Sequence, residues 1–116
     1  MKLSELIVEA YGCAGVLNDG PALCEALRQG AEDVGATVVR EAAHAYAPHG
    51  VTAMIFLAES HLLITTWPES GYAVAEVFLC NDTMDVMVPW RRLEALLRPT
   101  DVRFHKVPLA IGNRPD

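Results

Sequence analysis

Several segments of this chain have the short apolar pattern of β-strands, in which successive side chains point to opposite faces. Along Tyr72–Cys80, one face carries small apolar side chains, whereas the other carries Glu76 and Cys80. Val51–Ala58 is apolar on both faces, which indicates a central strand that is covered on both sides. The six predicted strands are Leu3–Tyr11, Thr37–Tyr46, Val51–Ala58, His61–Trp67, Tyr72–Cys80 and Val102–Val107.

Two other segments have the spacing of amphipathic helices. The first begins after Asn18, where Asp19 can act as N-cap and Pro21 suits a first helical turn. Its apolar residues recur at helical spacing as Leu23, Leu27, Ala31 and Val34, and Gly35 fits its end. The second predicted helix is Asp85–Leu97, with Trp90, Leu93 and Leu97 inward and Pro99 after its end.

The order β-α-β-β-β-β-α-β, with short connections, predicts one α+β domain over residues 1–116. We expect a two-layer sandwich, in which a largely antiparallel sheet carries both helices on one face. The other face would expose a large apolar set: Met54, Phe56, Leu63, Trp67, Val74 and Phe78. Because no predicted helix remains to cover this face, we expect a second copy of the sheet to do so in a homodimer.

Composition narrows the possible partners. The formal net charge of -6 argues against nucleic acid or an anionic membrane, since both select basic surfaces. The chain has no apolar stretch of the ~20 residues needed to span a bilayer, and Glu5 and Glu9 do not suit a signal peptide. Three cysteines without CxxC spacing predict reduced thiols in the cytoplasm and no zinc site. The hydrophobic content of 52% favours buried surface beyond one core, such as a dimer interface.

The most specific motif lies in the middle of the chain. It consists of Glu59-Ser60-His61-Leu62, then Thr66-Trp67-Pro68-Glu69, then Cys80. Together with Tyr46-Ala47-Pro48-His49-Gly50 and the segment Leu6–Cys13, this pattern resembles the prokaryotic-type S-adenosylmethionine decarboxylase proenzymes, a pyruvoyl-dependent family. Without the motif, Ser60 would be interpreted as a turn serine and Cys80 as a buried cysteine at a strand end.

The resemblance implies a specific chemistry. The Ser60 hydroxyl would attack the carbonyl carbon of Glu59, and cleavage would give a β chain of 1–59 and an α chain of 60–116. Ser60 would thereby become the pyruvoyl group, which forms a Schiff base with S-adenosylmethionine and accepts electrons as carbon dioxide leaves. Cys80 matches the residue that then protonates the α-carbon. The product, decarboxylated S-adenosylmethionine, is the aminopropyl donor for spermidine.

The resemblance also assigns roles to four further residues. Tyr46 matches an aromatic residue that stacks on adenine, and Glu69 matches the carboxylate that binds both ribose hydroxyls. Thr52 corresponds to a serine that assists processing, and Thr65 stands where the family carries a histidine that acts as base. Since a threonine hydroxyl is a poor base near neutral pH, we expect slow, incomplete or absent cleavage. His44, His49 and His61 are other candidates for the base.

Two alternative functions stay open at this stage. One is a pyruvoyl-dependent decarboxylase of arginine or ornithine, suggested by the changed residues Thr65 and Tyr46. The other is an uncleaved, non-catalytic homologue that binds a nucleoside-like ligand or a partner subunit. From position alone, Tyr46 would equally fit a core aromatic on a strand and Glu69 a solvated turn carboxylate.

Overall fold

The computed structural model of the chain describes residues 2–80, 83–110 and 112. It contains strands β1 (Lys2–Tyr11), β2 (Val38–Ala45), β3 (Val51–Leu57), β4 (His61–Trp67), β5 (Tyr72–Leu79) and β6 (Asp101–Ala110). The helices are α1 (Gly20–Asp33) and α2 (Met87–Leu97), and a 3-10 turn covers Pro68–Ser70. The predicted order of elements is therefore confirmed.

All strands belong to one sheet in the order β2-β3-β4-β5-β1-β6, and each neighbouring pair is antiparallel. The first strand of the chain thus lies between the fifth and the sixth. The α+β sandwich with a largely antiparallel sheet is confirmed.

The core lies between the sheet and the two helices. Each central strand alternates between buried residues and residues that are half-buried or exposed, as the sequence pattern predicted for Tyr72–Cys80. Trp90, Leu93 and Leu97 of α2 are completely buried. The helices approach each other closely at Gly30, where a Cβ atom would lie 2.8 Å from the backbone of Pro89. Any larger residue at position 30 would therefore force the helices apart.

Element ends differ from the predictions by a few residues. Helix α2 begins at Met87 rather than Asp85, because the Asp85 side chain instead accepts a hydrogen bond from the backbone N–H of Met87. Strand β6 extends to Ala110, three residues beyond the predicted end, because it pairs with β1 along the whole length of that strand. Periodicity could not show this, because an edge strand is exposed on both faces.

The face of the sheet opposite the helices is called the open face below. It carries the predicted apolar set, in which Phe56 is 40% and Trp67 39% exposed. Both helices pack on the other face, as predicted. Within the described ranges, no helix is long and apolar enough to cross a membrane.

Candidate functional site

Ser60 lies in the short connection between β3 and β4. The backbone N–H of Leu57 donates to the Ser60 carbonyl at 2.9 Å, and that of Ala58 donates to Thr37 at 3.1 Å. These bonds fix both ends of the connection while leaving it beside a cavity of about 340 Å³. The cavity is lined by Gly35, Ala36, Thr37, Leu57, Ala58, Glu59, Ser60, Cys80 and Met84.

Cys80 lies against the connection that carries Ser60. Its Sγ donates a hydrogen bond to Glu59 Oε2 at 3.3 Å. This hydrogen bond, together with partial desolvation, raises the pKa of the Cys80 thiol above its usual value. The thiol is therefore protonated at neutral pH, as a proton donor must be. Ser60, Glu59 and Cys80 thus meet in one cavity, in agreement with the motif spacing.

A cluster of three titratable side chains, those of His61, Glu76 and Glu5, lies on the open face next to this cavity. His61 Nε2 contacts Glu76 Oε1 at 2.8 Å, and the His61 ring stacks on Phe78 with centroids 5.2 Å apart. Burial and a hydrogen bond to Glu76 raise the pKa of Glu5 to about 7. Burial opposes ionisation of Glu76 too, but its bonds with Glu5 and His61 outweigh this, so its pKa is lowered. Glu5 therefore holds the proton that the two carboxylates share.

At the opposite end of β4, three hydroxyl groups form a chain. Tyr46 Oη lies 2.9 Å from Thr52 Oγ1, which in turn lies 2.9 Å from Thr65 Oγ1. Thr52 and Thr65 are direct partners across β3 and β4, which explains their contact. Tyr46 is 47% exposed, so the interpretation as a core aromatic is wrong. The edge of the His44 ring packs against it with centroids 4.8 Å apart.

Tyr46 and Glu69 line a second cavity, of about 380 Å³, together with Ala47, Pro48, His49, Thr65, Thr66 and Trp67. His49 Nε2 lies 2.6 Å from Glu69 Oε2, so the Glu69 side chain has a fixed partner rather than being freely solvated. Gly50 shapes this cavity, because its φ of 105° favours glycine and its N–H donates to Asn18 Oδ1 at 2.8 Å.

The structure therefore divides the predicted site residues into two groups. Glu59, Ser60 and Cys80 form the Ser60 end, and Tyr46, Thr52, Thr65 and Glu69 form the Trp67 end. Thr65 is five residues after Ser60 on an extended strand, so roughly 16 Å separate them at ~3.3 Å per residue. Within one chain, Thr65 thus lies far from the bond expected to be cleaved.

Sequence reasoning left one cluster at the Trp67 end unassigned. Glu9 accepts hydrogen bonds from Tyr72 at 2.7 Å, from Tyr11 at 2.9 Å and from His105 at 2.9 Å. These donors lower the pKa of Glu9 to about 2, and the bond to Glu9 raises the pKa of Tyr72 to about 12. Glu9 lies on the open face of β1, and its three donors come from two other strands and from the end of β1 itself.

No group of three or more His, Cys, Asp or Glu side chains in the described part of the chain is arranged to hold a metal ion. The Ser60 end offers a hydroxyl, a protonated thiol and a carboxylate pair that shares a proton. The Trp67 end offers an exposed aromatic ring and a carboxylate that is already oriented.

Known proteins are similar to this chain in sequence and in fold. Residues 4–108 match the sequence profile described as S-adenosylmethionine decarboxylase. The S-adenosylmethionine decarboxylase proenzyme of Carboxydothermus hydrogenoformans is 44% identical over 100 residues, which are 85% of this chain and 76% of that protein. That of Thermotoga maritima is 39% identical over 92 residues, which are 78% of this chain and 68% of its own length.

A solved structure extends the likeness to the fold. The adenosylmethionine decarboxylase from Aquifex aeolicus matches with a TM-score of 0.86 over 98% of this chain and 95% of its own, at 22% identity. At that identity the match establishes the fold, and the profile and the closer sequences establish the relationship. This chain belongs to the S-adenosylmethionine decarboxylase family.

Proposed function

We propose that this chain cleaves itself between Glu59 and Ser60 and then decarboxylates S-adenosylmethionine. The observation that carries the proposal is the single cavity shared by Glu59, Ser60 and Cys80. The relatives named as proenzymes support it, and they do not favour decarboxylation of arginine or ornithine or a non-catalytic homologue. The product would be the aminopropyl donor for spermidine.

The Ser60 end fits a pyruvoyl group derived from Ser60. In the first step the Ser60 Oγ–H bond breaks as Oγ attacks the Glu59 carbonyl carbon, and the C–N bond gives way to an ester. A base then removes the Ser60 α-proton, and the Glu59 carboxylate leaves from Cβ. Hydrolysis with loss of ammonia completes the pyruvoyl group. Once formed, the group supplies an electron sink for decarboxylation.

Cys80 is the proton donor in this proposal. Its thiol is held protonated beside Glu59 and lines the same cavity as Ser60. When carbon dioxide leaves, the S–H bond breaks and the proton passes to the α-carbon of the substrate. The resulting thiolate takes a proton from water, which restores the Cys80 thiol for the next turnover.

The Trp67 end has the groups needed to bind the nucleoside. The half-exposed Tyr46 ring presents an aromatic surface for adenine, and its position is fixed by Thr52 and by the edge of His44. The Glu69 carboxylate can accept hydrogen bonds from two ribose hydroxyls, and His49 orients it.

A homodimer brings the two ends together. Only a few single bonds separate the nucleoside of S-adenosylmethionine from its α-carbon, so one chain with roughly 16 Å between its two ends cannot serve both. A twofold axis that lies between two apposed open faces and runs across the strands would place the Ser60 end of one chain against the Trp67 end of its partner. Each site would then use residues of both chains, and Thr65 and Thr52 would lie near the partner's Ser60.

The hydroxyl chain Tyr46–Thr52–Thr65 would take the place of the family histidine in processing. Thr65 can accept a proton only if its own hydroxyl proton passes to Thr52. Thr52 must then pass its proton to Tyr46, and water or hydroxide must remove the hydroxyl proton of Tyr46. This route is slower than transfer to an imidazole, so processing should be slow and should accelerate as pH rises. We propose the cytoplasm as the location, since Cys13, Cys24 and Cys80 are all in the reduced form, outside any disulfide.

An intact-mass spectrum of freshly purified, denatured protein tests the proposal. Two fragments that meet between Glu59 and Ser60, with a ketone in place of the amine of the second, are expected. Release of labelled carbon dioxide from carboxyl-labelled S-adenosylmethionine should accompany them, and the Ser60→Ala chain should show neither. A single wild-type species at 12.6 kDa after prolonged incubation at alkaline pH, without carbon dioxide release, would refute the proposal.

A further inference from the structure

Glu59 directly precedes the bond expected to be cleaved, yet its side chain has a contact unrelated to that bond. Its Oε2 accepts from Cys80 Sγ at 3.3 Å. The register of β4 and β5 brings the two residues near each other: the last pair on this side is His61 and Phe78, so the connection that carries Glu59 and the residue that follows β5, Cys80, leave the sheet side by side. The two side chains can therefore meet although neither residue belongs to the paired part of the strands.

We propose that Glu59 is a positioning residue for Cys80. The Glu59 carboxylate keeps the Cys80 thiol protonated and directed into the cavity beside Ser60. The role of Cys80 as proton donor rests on the proposed function, whereas the pairing of carboxylate and thiol stands on the geometry alone. A free thiol ionises near pH 8.5, so a neighbouring positive charge would leave it partly as thiolate, which cannot donate a proton. A neighbouring carboxylate has the opposite effect.

The surrounding charges are consistent with this role. Among the described residues adjoining Cys80, Glu59 on the β3–β4 connection makes the dominant contribution to its raised pKa. On the neighbouring strands, Glu5 and His61 face the same side, and both are engaged with Glu76. Glu59 is thus the carboxylate that a substitution can remove to change the thiol.

The contact also has a consequence for the cleaved protein. Cleavage would make Glu59 the last residue of the β chain and leave Cys80 in the α chain. The hydrogen bond would then join two separate polypeptides across the reacting centre. During cleavage, the main-chain acyl group of Glu59 would be displaced from Ser60. Afterwards, the side chain of Glu59 would orient Cys80, the proton donor.

The test measures alkylation of Cys80 by iodoacetamide as a function of pH, with mass spectrometry of the Cys80 peptide. It is done in the uncleaved Ser60→Ala chain, so that processing does not affect it. Glu59→Gln should move the midpoint for Cys80 to lower pH, and Glu59→Asp should restore part of the rise. The midpoints for Cys13 and Cys24, whose pKa values are raised mainly by burial, serve as internal references. Glu94→Gln, which removes an exposed helix carboxylate, is the matched control and should leave Cys80 unchanged.

The second measurement is kinetic, with kcat taken per cleaved chain so that incomplete processing does not enter. Glu59→Gln should lower kcat about tenfold with KM unchanged and shift the alkaline limb of kcat to lower pH. If this variant is not cleaved, Glu59→Asp is used and a smaller loss is expected. An unmoved Cys80 midpoint, or a moved midpoint with unchanged kcat, would overturn the inference. Failure of the wild type to cleave or to release carbon dioxide would instead count against the proposed function, because the alkylation result does not depend on it.

Discussion

At the Ser60 end of the open face two carboxylates lie side by side, whereas near the Trp67 end a single carboxylate lies among three donors. Glu5 and Glu76 share one proton, and the pKa of Glu5 is raised to about 7. Glu9 binds two tyrosines and His105, and its pKa falls to about 2. The sheet is continuous, so the difference comes from the neighbours of each carboxylate rather than from the fold.

This difference suits the roles proposed for the two ends. The Ser60 end has a group that gains or loses a proton near neutral pH and a thiol that stays protonated, as proton transfer requires. At the Trp67 end, Glu9 keeps its charge and Glu69 has a fixed partner, as a rigid binding surface requires. Reaction and recognition are thus separated along one strand, and four experiments test this division.

The largest effect is expected from mixing two inactive chains. Ser60→Ala removes the reaction end and Glu69→Ala the recognition end, so each homodimer should have little activity when S-adenosylmethionine is kept well below KM. In mixed dimers one of two sites would be intact, so coexpression should restore about a quarter of wild-type activity if the chains pair at random. Carbon dioxide release from purified mixed dimers measures this. Persistent inactivity of verified mixed dimers would contradict the shared site.

The next largest effect concerns the missing histidine. Thr65→His supplies an imidazole at the Trp67 end and should accelerate cleavage on the order of a hundredfold. The fraction of cleaved chain against time, from denaturing gels, measures the rate. Val39→His on the exposed edge strand is the matched control and should leave the rate unchanged. Equal cleavage rates for wild type and Thr65→His would show that position 65 takes no part in processing.

A moderate effect is expected from the ribose contact. Glu69→Gln should raise KM by roughly ten- to a hundredfold, because a hydrogen bond to a charged group contributes about 1.5–3 kcal/mol. Cleavage should proceed at the wild-type rate, since Glu69 takes no part in it. Steady-state kinetics and intact mass of the same preparation check both statements. Slower cleavage with unchanged KM would reverse the assignment of the two ends.

The smallest effects concern the pH dependence of the free energy of unfolding, and the contributions of Glu5 and Glu9 to it have opposite signs. The raised pKa of Glu5 contributes stability that is present below pH 4.5 and is lost as pH rises through about 7. The lowered pKa of Glu9 contributes stability that is present above pH 4.5 and is lost as pH falls through about 2. Urea unfolding should show Glu5→Gln flattening the curve between pH 4.5 and 7, and Glu9→Gln flattening it below pH 4.5. Identical curves for both variants would refute the contrast.

Most of the fold could be predicted because strands and helices here have distinct periods. The alternation along Tyr72–Cys80 and the helical spacing of Leu23, Leu27 and Ala31 correspond directly to buried faces. The motif likewise placed Ser60 and Cys80 together, since the connection at Ser60 and the end of β5 are neighbours in the sheet.

The arrangement of the site could not be predicted in the same way. Whether Thr65 lies near the Ser60 of a second chain depends on how two chains pair, and the contact between Thr52 and Thr65 depends on the register of β3 and β4. Glu5 and Glu76 are distant in the sequence and meet only because β1 enters the sheet beside β5. Pairing of remote segments is a property of the whole fold, which local patterns do not contain.

The place of β1 in the sheet determines what a cut between Glu59 and Ser60 would leave behind. The first fragment would hold β1, β2, β3 and α1, and the second the remaining elements. Because β1 lies between β5 and β6, the fragments would be interwoven and could not drift apart without dissolving the sheet. Neither piece has a complete sheet of its own, so the chain must fold before it is cut. Only a chain that has already folded would be cleaved. If the cleaved protein were later unfolded, its two fragments would no longer be joined covalently and would have to reassemble as separate polypeptides.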